Sequence, residues 1–406
     1  MDLRVGVIGF GHRGQLAHDA HHPGAGSYIA AVCDVSERSR QQAGDQFPDA
    51  LVTGSLDELL ATDLDAVMVL TPDGQHAETV IPALEAGLAV FCEKPMAISI
   101  DDCDRMLEAA YRTRSRLYLG HNMRHLPMVR LMHDLITDGR IGEVKAVWCR
   151  HFVGNGGDWY FKDWHADRSK SLGLLLQKGA HDIDVIHLFA GGYSTQVQAI
   201  GALSVYGDIE DRRDRSGERM DEWLSIDNWP PTAATGLNPV IDVEDISQMN
   251  MILDNGVLAS YQQCHFTPDN WRNYTVIGTA GRIENVGGNG AGAQVHLWNR
   301  RRGGFSPPDE IFIVPEGQGG HAGADRPLVA EFLSFARDGG VTLTSPVAAR
   351  NSVAAGVMAT ASLRGDRGAV VVPPLRSEVA DYFAAGQPGS SGVRVRERAG
   401  GSADDI

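Results

Sequence analysis

Between residues 3 and 120 short apolar runs alternate with segments of helical periodicity. The runs at 3–8, 28–33, 65–70, 89–92 and 117–119 are continuous rather than alternating, as expected of strands buried on both faces of a parallel sheet. The intervening helices have readable ends. Ser55-Leu56-Asp57-Glu58 and Ser99-Ile100-Asp101-Asp102 resemble capping boxes, and Gly87 sits where a helix should stop. Strand and helix alternation of this kind predicts an α/β fold, with a doubly wound parallel sheet over 1–121.

Beyond residue 121 the pattern changes. A helix over 127–138 leads to a strand at 144–152, and a second helix at 178–189 is rich in His and Asp. Residues 206–238 are crowded with Asp, Glu, Arg, Pro and Gly and read as an insertion with a solvated face. Strands at 246–253 and 257–265 flank Asp254-Asn255-Gly256, where Asn-Gly predicts a type I′ hairpin turn. Further strands at 274–277, 294–298 and 311–314 follow through turns, and helices are expected at 327–337 and 347–363. Strands joined in this way predict a large open sheet, mostly antiparallel, in a second α/β domain over 122–375. The Gly-, Ser- and charge-rich tail, 386–406, is expected to be disordered.

Composition narrows the function. A chain of 406 residues is long for one core, so two domains are expected. A net charge of −16 argues against nucleic acid or an anionic membrane as partner, since phosphate contacts need clustered Lys and Arg. The N-terminus lacks a signal-peptide pattern, and no apolar run has the length of a membrane helix. The 5 cysteines are scattered without a Cys-x-x-Cys pair, which speaks against a cysteine zinc site and for a reducing compartment. The cytoplasm is the expected location.

The first chemical signal is Gly9-Phe10-Gly11-His12-Arg13-Gly14, placed after the first strand and opening a helix. Gly9 permits the tight turn, Gly11 lets backbone approach a pyrophosphate, and Gly14 lets the helix pack against the sheet. Asp34 ends the second strand and can accept hydrogen bonds from ribose hydroxyls. His12 and Arg13 must lie near the pyrophosphate. A carboxylate at Asp34 repels a 2′-phosphate, so NAD is expected over NADP, although Arg38 stands close by in sequence.

Other short motifs follow in order: Leu70-Thr71-Pro72-Asp73-Gly74-Gln75-His76, Glu93-Lys94-Pro95, Asn122-Met123-Arg124, Gly179-Ala180-His181-Asp182-Ile183-Asp184 and Ile277-Gly278-Thr279-Ala280-Gly281. The series resembles the Gfo/Idh/MocA family of oxidoreductases over nearly the whole chain except the tail. The resemblance implies a Rossmann domain and an open-sheet domain that supports both a sugar site and oligomer contacts, as a homodimer or homotetramer. It implies hydride transfer between the nicotinamide and a secondary hydroxyl of a sugar, cyclitol or glycoside. Thr71, Pro72, His76, Glu93, Lys94 and Asn122 would join the glycine loop around the cofactor.

Lys94 would lie at the active site, where a cation lowers the pKa of the substrate hydroxyl. His181 is the candidate general base, because imidazole titrates near neutrality. Where the commonest form of the family carries Asp, this chain has Gln177, followed by Lys178; the pair looks like a variant of a Glu-Lys branch and adds a second cation. Arg124, Asp182, Trp164 and His165 complete the expected substrate contacts; Trp159 and Trp164 lie in an aromatic stretch suited to stacking on sugar faces. Gly319-Gly320-His321-Ala322-Gly323-Ala324-Asp325 resembles a segment lining the site in the same branch. His181, Asp184 and His187 do not form a compact metal face at their spacing, so no metal is expected. Two other functions stay open: glycoside hydrolysis or elimination assisted by bound NAD, and a regulator that keeps the dinucleotide site without catalysis.

Overall fold

The computed structural model describes residues 2–389 apart from Arg219, Ile226, Gln318 and Gly319. The first sheet holds β1 (Leu3–Ile8), β2 (Ser27–Cys33), β3 (Leu51–Thr53), β4 (Ala66–Val69), β5 (Ala89–Cys92) and β6 (Leu117–Leu119). All pairs are parallel, in the order β3-β2-β1-β4-β5-β6. The order reverses between β1 and β4, which opens a crevice at the strands' C-terminal ends, where ligands bind in such sheets. β1, β4 and β5 are almost wholly buried, in keeping with their continuous apolar runs. Ser55 and Ser99 cap their helices as expected, accepting from the Glu58 and Asp102 backbone N–H groups. β3 was not legible in the sequence, being three residues long with Leu51 43% exposed.

The second sheet has nine strands, β7 (Val144–Phe152), β8 (Ser194–Ala202), β9 (Ile246–Leu253), β10 (Leu258–Cys264), β11 (Trp271–Gly278), β12 (Arg282–Val286), β13 (Gln294–Trp298), β14 (Glu310–Ile313) and β15 (Val370–Val371). Their order is β14-β13-β12-β11-β7-β10-β9-β8-β15, and β7–β10 is the one parallel pair in it. Helices Gly179–Ala190 and Pro346–Arg364 cover one face. The other face carries Trp148, Ile200, Ile252 and Leu258, each exposed.

The β9–β10 hairpin forms, but its turn is not type I′. Only Gly256 has a positive φ, +81°, and Leu253 N–H donates to the Val257 carbonyl across a three-residue loop. That is a type I turn closed by a glycine bulge; Asn255 uses its side chain instead, donating to the Ala190 carbonyl.

Two later segments, around 325–338 and at Gln387, return to the first sheet. Helix Asp325–Asp338 packs Phe332 on Phe91 and Tyr118, in the core under β1 and β5. Gln387, in the tail expected to be disordered, is buried, and its amide pairs with both the N–H and C=O of Leu117 on β6. The open edge of β6 thus finds a partner. Residues 390–406 of that tail lie outside the described residues. No described helix is long and apolar enough to cross a membrane.

Candidate active site

The glycine loop leaves β1 with Gly9 at φ +89°; a side chain there would meet the Leu70 and Thr71 backbone at 2.9 Å. A Cβ on Gly11 would meet nothing within 4 Å, so the loop leaves open space where the pyrophosphate is expected. Gly14 is close to the Phe10 ring, 3.0 Å from an added Cβ, rather than to a strand. Asp34 accepts from the Phe10 N–H (2.6 Å) and the Ser36 N–H (2.7 Å), fixing its carboxylate at the end of β2. Val35 beside it is 91% exposed, an apolar surface suited to an adenine face. These features fit a dinucleotide.

Arg13 takes a different position from a simple phosphate contact. It pairs with Glu93 (2.6 Å) and Asp325 (3.0 Å), and its Nη1 lies 3.1 Å from His321 Nδ1. Asn122 donates to the same Asp325 at 3.0 Å, and Glu93 also accepts from the Lys94 N–H. Burial would raise the carboxyls of Glu93 and Asp325, but Arg13 holds Glu93 below the usual range, and His321 together with Arg13 does the same for Asp325. Glycine loop, Glu-Lys-Pro segment and helix 325–338 are thereby locked together. His76 does similar work: its ring nitrogens lie 2.9 Å from the Thr71 and Pro95 carbonyls, joining the loops after β4 and β5. Of the Gly/His segment, Gly319 lies outside the described residues.

Lys94, Lys178 and His181 come together in the crevice, each within electrostatic reach of the others. Burial lowers the Lys94 ammonium, while Asp73 and Glu93 oppose that shift. Burial and the Arg272 guanidinium push Lys178 down to about 7. His181 is driven well below its ordinary value by burial and by Lys94 and Lys178, so its imidazole is neutral. The Lys178 ammonium sits over the Tyr160 ring at 5.5 Å. Tyr160 in turn meets His165 and His265 edge-on, and Trp164 stacks on His165 at 3.9 Å.

Several polar atoms here are buried without a hydrogen-bond partner: Thr71 Oγ1, Asp73 Oδ2, Asn122 Oδ1, Gln177 Oε1 and His181 Nδ1. Such orphans are costly unless a ligand completes them. Asp73 is the carboxylate of this cluster; its pKa is raised by burial, and Lys94, His76, His165 and Gln177 counter that shift. Gln177 therefore faces an acid from the first domain instead of being one.

Two expected substrate residues are engaged elsewhere. Arg124 donates twice to Asp184 (2.7 and 2.8 Å) and to the Leu343 carbonyl (2.9 Å). Asp182 is fully buried against the sheet, taking Arg272 (2.9 Å), His151 (3.0 Å) and the Tyr274 hydroxyl. Burial would raise both carboxyls, but Arg124 and Arg272 hold them far below the usual range. His187 bonds to the Ser194 hydroxyl at 2.8 Å.

Asp73, Tyr160, Arg272, His151 and His265 were not singled out by sequence. Asp73 stood inside the Thr-Pro-Asp motif and Tyr160 inside the aromatic stretch, so both had a signal that could have been weighed. Arg272 and His265, at a strand's start and just past a strand's end, carry none.

A parallel sheet in this order, a glycine loop at its crevice and a cationic cluster under an α/β domain define a nicotinamide-dinucleotide oxidoreductase. The description "oxidoreductase family, NAD-binding Rossmann fold" matches residues 3–121, and its "C-terminal alpha/beta domain" matches residues 133–372. The chain belongs to the Gfo/Idh/MocA family. It is 36% identical over 204 residues to inositol 2-dehydrogenase of Gluconacetobacter diazotrophicus, covering 49% of this chain and 58% of that protein. It is 32% identical over 240 residues to 2,7-anhydro-N-acetylneuraminate hydratase of Mediterraneibacter gnavus, covering 55% and 62%. Those stretches span about three fifths of each relative's length. The fold also matches levoglucosan dehydrogenase in complex with NADH and L-sorbose, at TM-score 0.72 and 18% identity, over 92% of this chain and 100% of that one.

Proposed function

We propose that this chain is an NAD-dependent dehydrogenase acting on a secondary hydroxyl of a cyclitol, sugar or anhydrosugar. The dinucleotide, when bound, supplies the hydride acceptor. Gly9, Gly11 and the Asp34 carboxylate are suited to hold it, and Asp34 favours NAD because it repels a 2′-phosphate. Lys94 stabilises developing negative charge on the substrate oxygen. Lys178 is the proton carrier, since a base works best when its pKa lies near the working pH. His181, the base expected from the sequence, is held neutral and orients the hydroxyl by hydrogen bonding, and Asp73 opposes the lowering of Lys94 by burial. Gln177 offers an unpaired polar atom to another hydroxyl of a polyol, and Thr71 and Asn122 offer theirs to the cofactor. Trp164 and Tyr160 offer ring faces to its C–H surface.

The observation that carries this reading is the row of orphaned buried polar atoms beside Lys94, Lys178 and His181. Lys94→Ala should lower turnover on a responsive polyol by about a hundredfold or more. Near-native turnover in that variant removes Lys94 from the mechanism.

A second reading is favoured by the relative named as a hydratase: transient oxidation by retained NAD, with C–O bond cleavage and no net cofactor change. Following reduced cofactor and free product together separates the two. The exposed face of the second sheet supports a homo-oligomer, since Trp148, Ile200, Ile252 and Leu258 would otherwise face water.

A further inference from the structure

Arg38 lies four residues beyond Asp34. A guanidinium four residues beyond the ribose-binding carboxylate is the kind of group that accepts a 2′-phosphate, with a fork geometry matched to its oxygens. Arg38 stands in the first turn of helix Glu37–Gln46, whose N-cap Ser36 is tied to Asp34. Here the guanidinium pairs with Glu222, at 2.5 Å, on the short helix Met220–Trp223.

Glu222 belongs to the charged insertion, 206–238, far away in sequence and attached to the second sheet. The contact is not isolated. The Trp159 ring meets His12 of the glycine loop edge-on at 5.8 Å, so a second segment of the other domain approaches the same groove from the pyrophosphate side. Asn228, beyond the short helix, donates to Asp158 next to Trp159, at 2.6 Å, which links the two approaching segments. Arg215 lies over the Trp223 ring at 5.5 Å and anchors the short helix to the rest of the insertion.

We infer that Glu222 is a cofactor-specificity residue: it engages Arg38 and so withholds it from a 2′-phosphate. The insertion thus adds to the discrimination that Asp34 begins. This inference rests on the NAD preference proposed above. Both partners are part-exposed, at 55% and 39%, so the effect should be modest, about three- to fivefold in affinity.

The test is equilibrium binding of NADH and NADPH to the full chain, read by calorimetry, so no substrate is needed. The wild type should bind NADH more tightly. Glu222→Gln should tighten NADPH about three- to fivefold with little change for NADH. The gain should vanish in the Arg38→Ala/Glu222→Gln double variant. Glu218→Gln removes a neighbouring charge of the same insertion that pairs with Arg213 and Arg215, and it should leave the ratio where it was. A wild type that prefers NADPH sinks the Asp34 reading and this inference with it. An NADH preference that Glu222→Gln does not move, or a gain that survives without Arg38, overturns this inference alone.

Discussion

Lys178 changes charge close to neutral pH because burial and Arg272 both act against its ammonium. If it takes the hydroxyl proton, it must be neutral at the start of oxidation. Turnover in that direction should therefore rise with pH through about 7 and level off above it. In the reductive direction the charged form is needed, and the limb reverses. Lys178→Met keeps much of the bulk and removes the titration, so the limb should disappear from its pH–rate profile. A limb that persists in that variant assigns the proton to another group. Lys94, Lys178 and His181 were legible because short motifs carry them at the ends of predicted elements. Asp73 and Arg272, which modulate what burial does to Lys94 and Lys178, were not legible, because their importance depends on which loop faces which strand.

Helix Gly179–Ala190 shows why neighbouring residues on one element do different work. Almost every residue in it is buried, so each polar side chain needs its own partner inside the protein. His181 faces the crevice, Asp182 faces the sheet, and Asp184 faces Arg124. Removing one side of the last pair leaves a buried charge alone. Arg124→Ala should thus cost about 3–5 kcal/mol in stability, measured by denaturant unfolding. An unchanged midpoint would contradict a structural role for Arg124. Asp182 and Asp184 have folded values below their unfolded ones, so their stabilisation is complete above about pH 4 and lost as pH falls. Elements with strong patterns were the ones legible in advance. β8 and β12 escaped notice: β8 mixes Ala, Gly and Gln among its apolar residues, and β12 has five residues, one of them Asn285 turned into the core.

On the scale of the molecule, two sheets share one site. The first domain brings Lys94 and Asp73, the second brings Lys178, His181 and Tyr160, and the returning helix 325–338 clamps Arg13 and Asn122 through Asp325. The far face of the second sheet is the other whole-molecule feature. Leu258 and Ile252 stand opposite each other on paired strands, both exposed, with Trp148 on the strand beside β10. Placing charges there by Trp148→Glu and Leu258→Glu should convert an oligomer to smaller species in light scattering, with NADH binding intact. A wild type that is already monomeric at working concentration would contradict the oligomer. The domain pattern and the sheet types could be read from periodicity, and the glycine loop from its motif after the first strand. The cross-domain contacts could not, since Arg13–Asp325 and Arg38–Glu222 join residues that no local pattern relates.

The most direct measurement mixes the protein with NAD and a panel of cyclitols, hexoses and anhydrosugars, and follows the absorbance of reduced nicotinamide. Reduced cofactor should appear in step with oxidised sugar for at least one member and be lost in Lys94→Ala. Tight dinucleotide binding without reduction on any member of a broad panel, or product release with no net reduction, would contradict a dehydrogenase.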